Sequence, residues 1–230
     1  MGRRWWSNPS EPSPAGFRRC AAAIRFAESS PPAYCPRMLA RVRSAVVIGV
    51  DAHPVEVEID LSSGLPSFTT VGLPQSAVKE GRERVAAAVA NSGFEFPLRR
   101  ITVNLAPADV PKAGSAFDLP IAIGLLLASD QVALATSAGG AESGFLFGEL
   151  SLEGALRPIR GAISVVMCAR HLGARWVVLP APNAAEGALV GDIDVFGAET
   201  LLELNGADVR GGSTNLHTAI SGNSAFRKRA

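Results

Sequence analysis

Pro111-Lys112-Ala113-Gly114-Ser115-Ala116-Phe117-Asp118-Leu119-Pro120 joins a polar loop to an apolar segment, and the elements of the chain are ordered around that junction. From Leu119 to Ser129 the residues are almost all apolar, which predicts a buried helix. Asp118 is placed as its N-cap, and Pro120 falls in the first turn, where a missing N–H costs little. Upstream, Ile101–Leu105 has the β-branched content of a strand, and residues 107–115 form the loop between the two. Downstream, Phe145–Leu150 and Ala155–Ile159 read as strands on either side of a turn at Glu153-Gly154.

Farther out, Val42–Val50 is a buried strand, His53-Pro54 a turn, and Val55–Asp60 a strand alternating with period two. A third strand follows at Ser67–Val71. The period then changes: Ala77, Val78, Val85, Ala88 and Val89 recur at helical spacing between Ser76 and Ser92, and Gly93 ends the helix. Toward the C-terminus the pattern gives a helix at Ala162–Leu172 and a strand at Trp176–Leu179. A short helix at Ala184–Leu189, a strand at Ile193–Phe196 and a last helix at Glu199–Leu204 complete it. Antiparallel strands followed by alternating helices and strands predict a two-layer α/β (α+β) domain with a mixed sheet.

With 230 residues, 47% of them hydrophobic, the chain has material for one well-filled core. Its net charge of +1 hides an uneven distribution. Residues 1–37 carry six arginines against Glu11 and Glu28, and the last residues add Arg227, Lys228 and Arg229. The part between is acidic, which weighs against strong binding of duplex DNA by the domain's own surface. The proline-rich residues 1–37 are expected to be a disordered arm, or sequence upstream of a true start at Met38. Residues 38–206 are expected to form the domain, and 207–230 a disordered tail. No apolar run reaches membrane-spanning length, and the arm lacks the unbroken apolar core of a signal peptide. A cytoplasmic location is expected. Cys20, Cys35 and Cys168 have no metal-ligand spacing and read as reduced thiols; His53, His171 and His217 lie far apart, so no metal site is expected.

No phosphate-binding Gly-x-x-x-x-Gly-Lys-Ser/Thr loop occurs, so no ATP site is expected in this chain. Gly-x-Ser-x-Gly and His-Glu-x-x-His are absent as well. Asp109 and Asp118 read as surface and capping residues ahead of a carboxylate pair. Ser115 stands near a helix start, where amides can stabilise an oxyanion, but a serine needs a base. Lys112, three residues away in the same loop, is badly placed to be one. An enzyme using Ser115, Lys112 or Asp118, a small Ser-dependent hydrolase, is the rival reading, and a truncated product without function is a third.

Several separated motifs carry a resemblance: Val71-Gly-Leu-Pro74, Ala77-Val-Lys-Glu-Gly-Arg-Glu-Arg-Val85, Ile101-Thr-Val-Asn-Leu-Ala-Pro-Ala-Asp109, Pro111–Ala122 and Phe147-Gly-Glu-Leu-Ser-Leu-Glu-Gly-Ala-Leu-Arg-Pro-Ile159. Over about residues 38–205 the chain resembles the N-terminal domain of the ComM/YifB, magnesium-chelatase-like AAA+ ATPases. Gln75 departs from the Asp that usually follows Gly-Leu-Pro. The resemblance implies the fold of the Lon protease catalytic domain, also called ribosomal protein S5 domain 2-like. It also implies a following AAA+ module that holds ATP and magnesium, assembly into a ring, and a family role in DNA branch migration during natural transformation. Gly211 onward departs from the family pattern, so truncation before the AAA+ domain is expected. No cofactor is expected for this chain; its expected partners are an AAA+ module, further copies of itself and weakly held DNA, with no membrane.

The same stretches resemble Lon proteases, whose nucleophilic Ser stands five positions after the Pro of Pro-Lys-Asp-Gly-Pro-Ser. Counted from Pro111, that position is Ala116. Ser115 is one residue early, a rotation of about 100° at a helix start. Aligning Gly148-Glu149 and Pro158-Ile159 puts Ile163 where Lon carries its Lys. The resemblance therefore implies a non-catalytic domain with no catalytic, cofactor or metal residues. Arg82, Arg84, Arg99 and Arg100 remain as candidates for DNA contact, with solvated surface as the plainer explanation.

Overall fold

The computed structural model describes residues 18–19, 24–25, 39–134 and 141–205. Strands β1 (Leu39–Ile48) and β2 (Asp51–Ser62) form a long hairpin, and β3 (Ser67–Val71) follows. Helix α1 (Ser76–Asn91) leads to β4 (Arg100–Ala106), and α2 (Asp118–Ala128) leads to β5 (Gly144–Leu146). A small separate hairpin of β6 (Glu149–Leu150) and β7 (Leu156–Arg157) precedes α3 (Ala162–His171). The chain continues through β8 (Trp176–Pro180), α4 (Ala181–Gly187) and β9 (Asp194–Ala198).

The main sheet runs β9-β8-β5-β1-β2-β4-β3. Only β2 is antiparallel to its neighbours. The fold is thus a mixed α/β sheet, as the sequence pattern predicts, but helices pack on both of its faces and not on one as a two-layer domain would have them. Alternation divides the sheet's residues into two sets. Val42, Val46, Val57, Ile59, Ile101, Val103 and Leu105 point to the face covered by α1 and α2 and form the larger core. Ala45, Phe145, Val177, Leu179 and Val195 point to the other face, where α3 and α4 cover the β5-β8-β9 end. α3 also packs against β2, but among the described residues no helix covers that second face where Glu56, Glu58, Thr102, Asn104 and Thr69 lie. The crossovers β3-α1-β4 and β8-α4-β9 step the same way along the sheet yet lie on opposite faces, so they have opposite hands. One is the uncommon left-handed form.

Several boundaries differ from the sequence reading. The first turn is at Gly49-Val50 and Pro54 sits inside β2. It is tolerated there because β2 gains its second neighbour only from Glu56 onward. The expected strands 145–150 and 155–159 shrink to β5, β6 and β7. The helix expected at 184–189 begins earlier, at Ala181, and ends in a 3-10 turn at Ala188–Val190. The last expected helix, 199–204, is replaced by a bridge from Thr200 to Ala155 and a 3-10 turn at Glu203–Asn205. Six residues form a poor helix nucleus. Here the Glu199 amide is taken by the Glu203 carboxylate, and the Glu203 amide by the Thr200 hydroxyl.

The expected disorder of the arm and tail falls outside the described residues, apart from two dipeptides. Arg18–Arg19 pairs in parallel with β9, and Ile24–Arg25 pairs with Ala133–Leu134.

Candidate functional site

The loop 107–117 is built into the molecule at both ends. Lys112 forms a bridge with Pro74: the Gln75 amide donates to its carbonyl at 2.9 Å and its own amide to Leu73 at 3.2 Å. The Gly72 backbone that sets up this contact has φ +92° and leaves room only for hydrogen, since a Cβ would lie 2.1 Å from the Leu105 carbonyl oxygen. The Lys112 side chain is fully buried, and its Nζ donates to the Pro107 carbonyl. Burial lowers its pKa, opposed by the nearby Asp109 carboxylate.

Ser115 donates its hydroxyl to the Glu149 carboxylate at the start of β6. The next residues carry α2's first turn, and its amides are already engaged. The Asp118 amide donates to the Ser115 carbonyl, the Leu119 amide to Gly148 and the Ile121 amide to Phe117, while Pro120 has none. Ala116 completes the joint by accepting from the Gly148 amide.

Asp118 is not the N-cap; Phe117 holds that position without a side-chain cap, and Asp118 is the first helical residue. Its carboxylate turns inward instead. Arg84 on α1 grips it with two hydrogen bonds, Nε to Oδ2 at 2.7 Å and Nη2 to Oδ1 at 3.2 Å. The Leu150 amide adds a longer one at 3.4 Å. Burial pushes the Asp118 pKa up to about 6 even though Arg84 pulls it down, and the bond to Asp118 raises that of Arg84. The same attraction acts on both partners with opposite sign. The Asp118 side chain is only 2% exposed against 25% for Arg84, so desolvation prevails at the carboxylate alone. Gly81 makes room for the pair: a Cβ there would lie 2.6 Å from Asp118 Oδ1.

The structure therefore gathers Arg84, Ser115, Asp118 and Glu149 around the start of α2. Asp109 stays apart, exposed in the loop beside Lys112. Neither Gly81 nor Glu149 stands out as a site residue from the sequence. Both partners lie more than thirty positions away along the chain, and only β6 and α1 packing on α2 brings them in. Ala116 is half-buried beside the second core, and Ile163 is exposed on the first turn of α3. The arginine candidates do not form one patch. Arg84 is committed to Asp118, Arg82 lies over the Phe68 ring on the helix-covered face, and Arg100 pairs in register with Ser62 on the open one. Among the described residues no three His, Cys, Asp or Glu come together as a metal-holding group, and burial raises the pKa of the Cys168 thiol. Cys20, Cys35 and His217 lie outside the described residues. No helix among the described residues is long and apolar enough to cross a membrane.

The stretch holding this site, residues 57–183, matches the family model described as subunit ChlI of Mg-chelatase. The chain belongs to this magnesium-chelatase-like family. Within it, the chain is 47% identical over 163 residues to YifB of Salmonella typhimurium and 45% identical over 166 residues to the competence protein ComM of Haemophilus influenzae. Protein Rv2897c of Mycobacterium tuberculosis is 43% identical over 166 residues. These matches make it a member of the ComM/YifB group. They cover 71–72% of this chain but only 31–32% of those relatives, so the chain spans about a third of their length.

Proposed function

We propose that residues 38–206 are a non-catalytic, Lon-like accessory domain of a ComM/YifB-type ATPase. Its job is to organise or position an AAA+ module that the matched third of the relatives does not include. In this reading the chain itself holds no ATP, magnesium or other cofactor, its partners are that module and further copies, and it works in the cytoplasm. The process served is ATP-driven remodelling of DNA during transformation, in keeping with the name of the competence relative. The acidic domain leaves most DNA contact to the module.

One observation carries the non-catalytic part. Most of the groups near α2's start are already used in building the joint: Lys112 on Pro107, Asp118 on Arg84, and the Asp118 and Leu119 amides on Ser115 and Gly148. A hydrolase needs a free base beside the nucleophile and free donors for the oxyanion. The rival, a Ser-dependent hydrolase, has a single contact in its favour, the bond from Ser115 to Glu149. A fluorophosphonate probe separates the two: the accessory reading expects no labelling of Ser115, and selective labelling abolished by Ser115→Ala would overturn it. For the positive role, the region of the Haemophilus influenzae relative beyond the match is purified alone and mixed with this chain. The expected result is co-elution and a changed ATPase rate; neither occurring would remove the proposed partner.

A further inference from the structure

The sheet ends on β3, and among the described residues no strand pairs with its outer side. In the parallel ladder with β4 the odd residues Ser67, Thr69 and Val71 turn their backbone groups inward; the Ser67 amide, for instance, donates to Arg99. The N–H and C=O of Phe68 and Thr70 therefore point outward, four unpaired groups on a straight edge. Protein sheets guard such edges with lysine, proline or a bulge. Within Ser67-Phe-Thr-Thr-Val71 there is none of these and no charge; the nearest prolines, Pro66 and Pro74, lie outside the strand. Leu65 (88% exposed) and Leu73 (56% exposed) flank it as uncovered apolar side chains.

We infer that this edge is a self-association surface whose occupant is β3 of a second copy, joined antiparallel about a two-fold axis at Thr69. The register follows from the strand itself. With Thr69 opposite Thr69, each Phe68 faces the other copy's Thr70, and the four outward groups on each copy are matched by the four on the other in reciprocal pairs. Ser67 then meets Val71, and no like charges meet. Beside the edge, Arg82 of α1 lies over Phe68 and sits 3.7 Å from Glu83 of the same helix, so α1 carries both signs there. This surface is separate from the site at α2 and does not depend on the accessory role proposed for it.

The test uses the full chain in sedimentation equilibrium, together with Thr69→Lys and Thr69→Glu. Thr69 is exposed on the uncovered face, so both changes leave the monomer's packing alone. Each is expected to abolish the dimer by setting like charges opposite each other on the axis, and an equal mixture of the two is expected to restore it. Thr70→Pro removes two of the four hydrogen bonds without touching the β4 ladder and is expected to weaken association roughly tenfold to a hundredfold. Hydrogen exchange on the unmodified chain gives an independent reading: the Phe68 and Thr70 amides become protected as concentration rises. A monomer at every concentration, a dimer indifferent to Thr69→Lys, or a Lys/Glu mixture that stays monomeric would each overturn the proposal.

Discussion

Asp118 faces two opposed influences, and their balance can be measured. Its pKa stands near 6 in the fold against an ordinary value of 3.8, so the folded chain binds this proton more tightly than the unfolded chain. The associated stability is fully present below about pH 4 and is lost as pH climbs through about 6. Urea unfolding between pH 4 and 7 is expected to show that decline, with an upper limit on the order of 3 kcal/mol. In Asp118→Asn, which cannot titrate, the slope disappears; an unchanged slope would assign it to other groups. Ser44 makes a contrasting case. Its buried hydroxyl has no hydrogen-bond partner among the described residues, although strand alternation alone marks the position as interior. Ser44→Ala is expected to unfold at the same or higher temperature, gaining up to about 1 kcal/mol.

At the scale of elements, α1 shows how packing overrides propensity. Glycine inside a helix costs about 1 kcal/mol relative to alanine, so Gly81→Ala should stabilise an isolated α1. In the protein the added methyl would press on Asp118 Oδ1, the oxygen held by Arg84 Nη2. Gly81→Ala is therefore expected to destabilise the fold by about 1–3 kcal/mol in chemical denaturation. Pairing it with Asp118→Ala, which removes the obstructing oxygen, is expected to recover part of the loss. The limits of α1, β3 and α2 were legible to within a residue because their period is long and their ends are marked. The 199–204 segment departs from its helical pattern because six helix-compatible residues say nothing about the Thr200 bridge that holds them otherwise.

For the molecule as a whole, the sequence lacks the phosphate-binding Gly-x-x-x-x-Gly-Lys-Ser/Thr loop, and the accessory reading therefore expects this chain alone to turn over no ATP. A magnesium-dependent phosphate-release assay is expected to stay at background, and a rate removed by Asp118→Asn but not by dialysis would contradict the accessory role. Intact mass of the native product asks a related question. A value near 23.9 kDa means the partner module must be a separate chain, and a much larger one means it is attached.

What the sequence determined by itself was the α/β class and the family. Each of these rests on residue identity and local period, which are written along the chain. Tertiary structure alone decided that Asp118 is locked by Arg84 instead of capping its helix, and that Ser115 meets Glu149. It also placed the two helix pairs on opposite faces and left β3 with no strand on its outer side among the described residues. These depend on which distant segments pack together, and a hydrogen bond between residues 34 positions apart leaves no mark in the spacing of either.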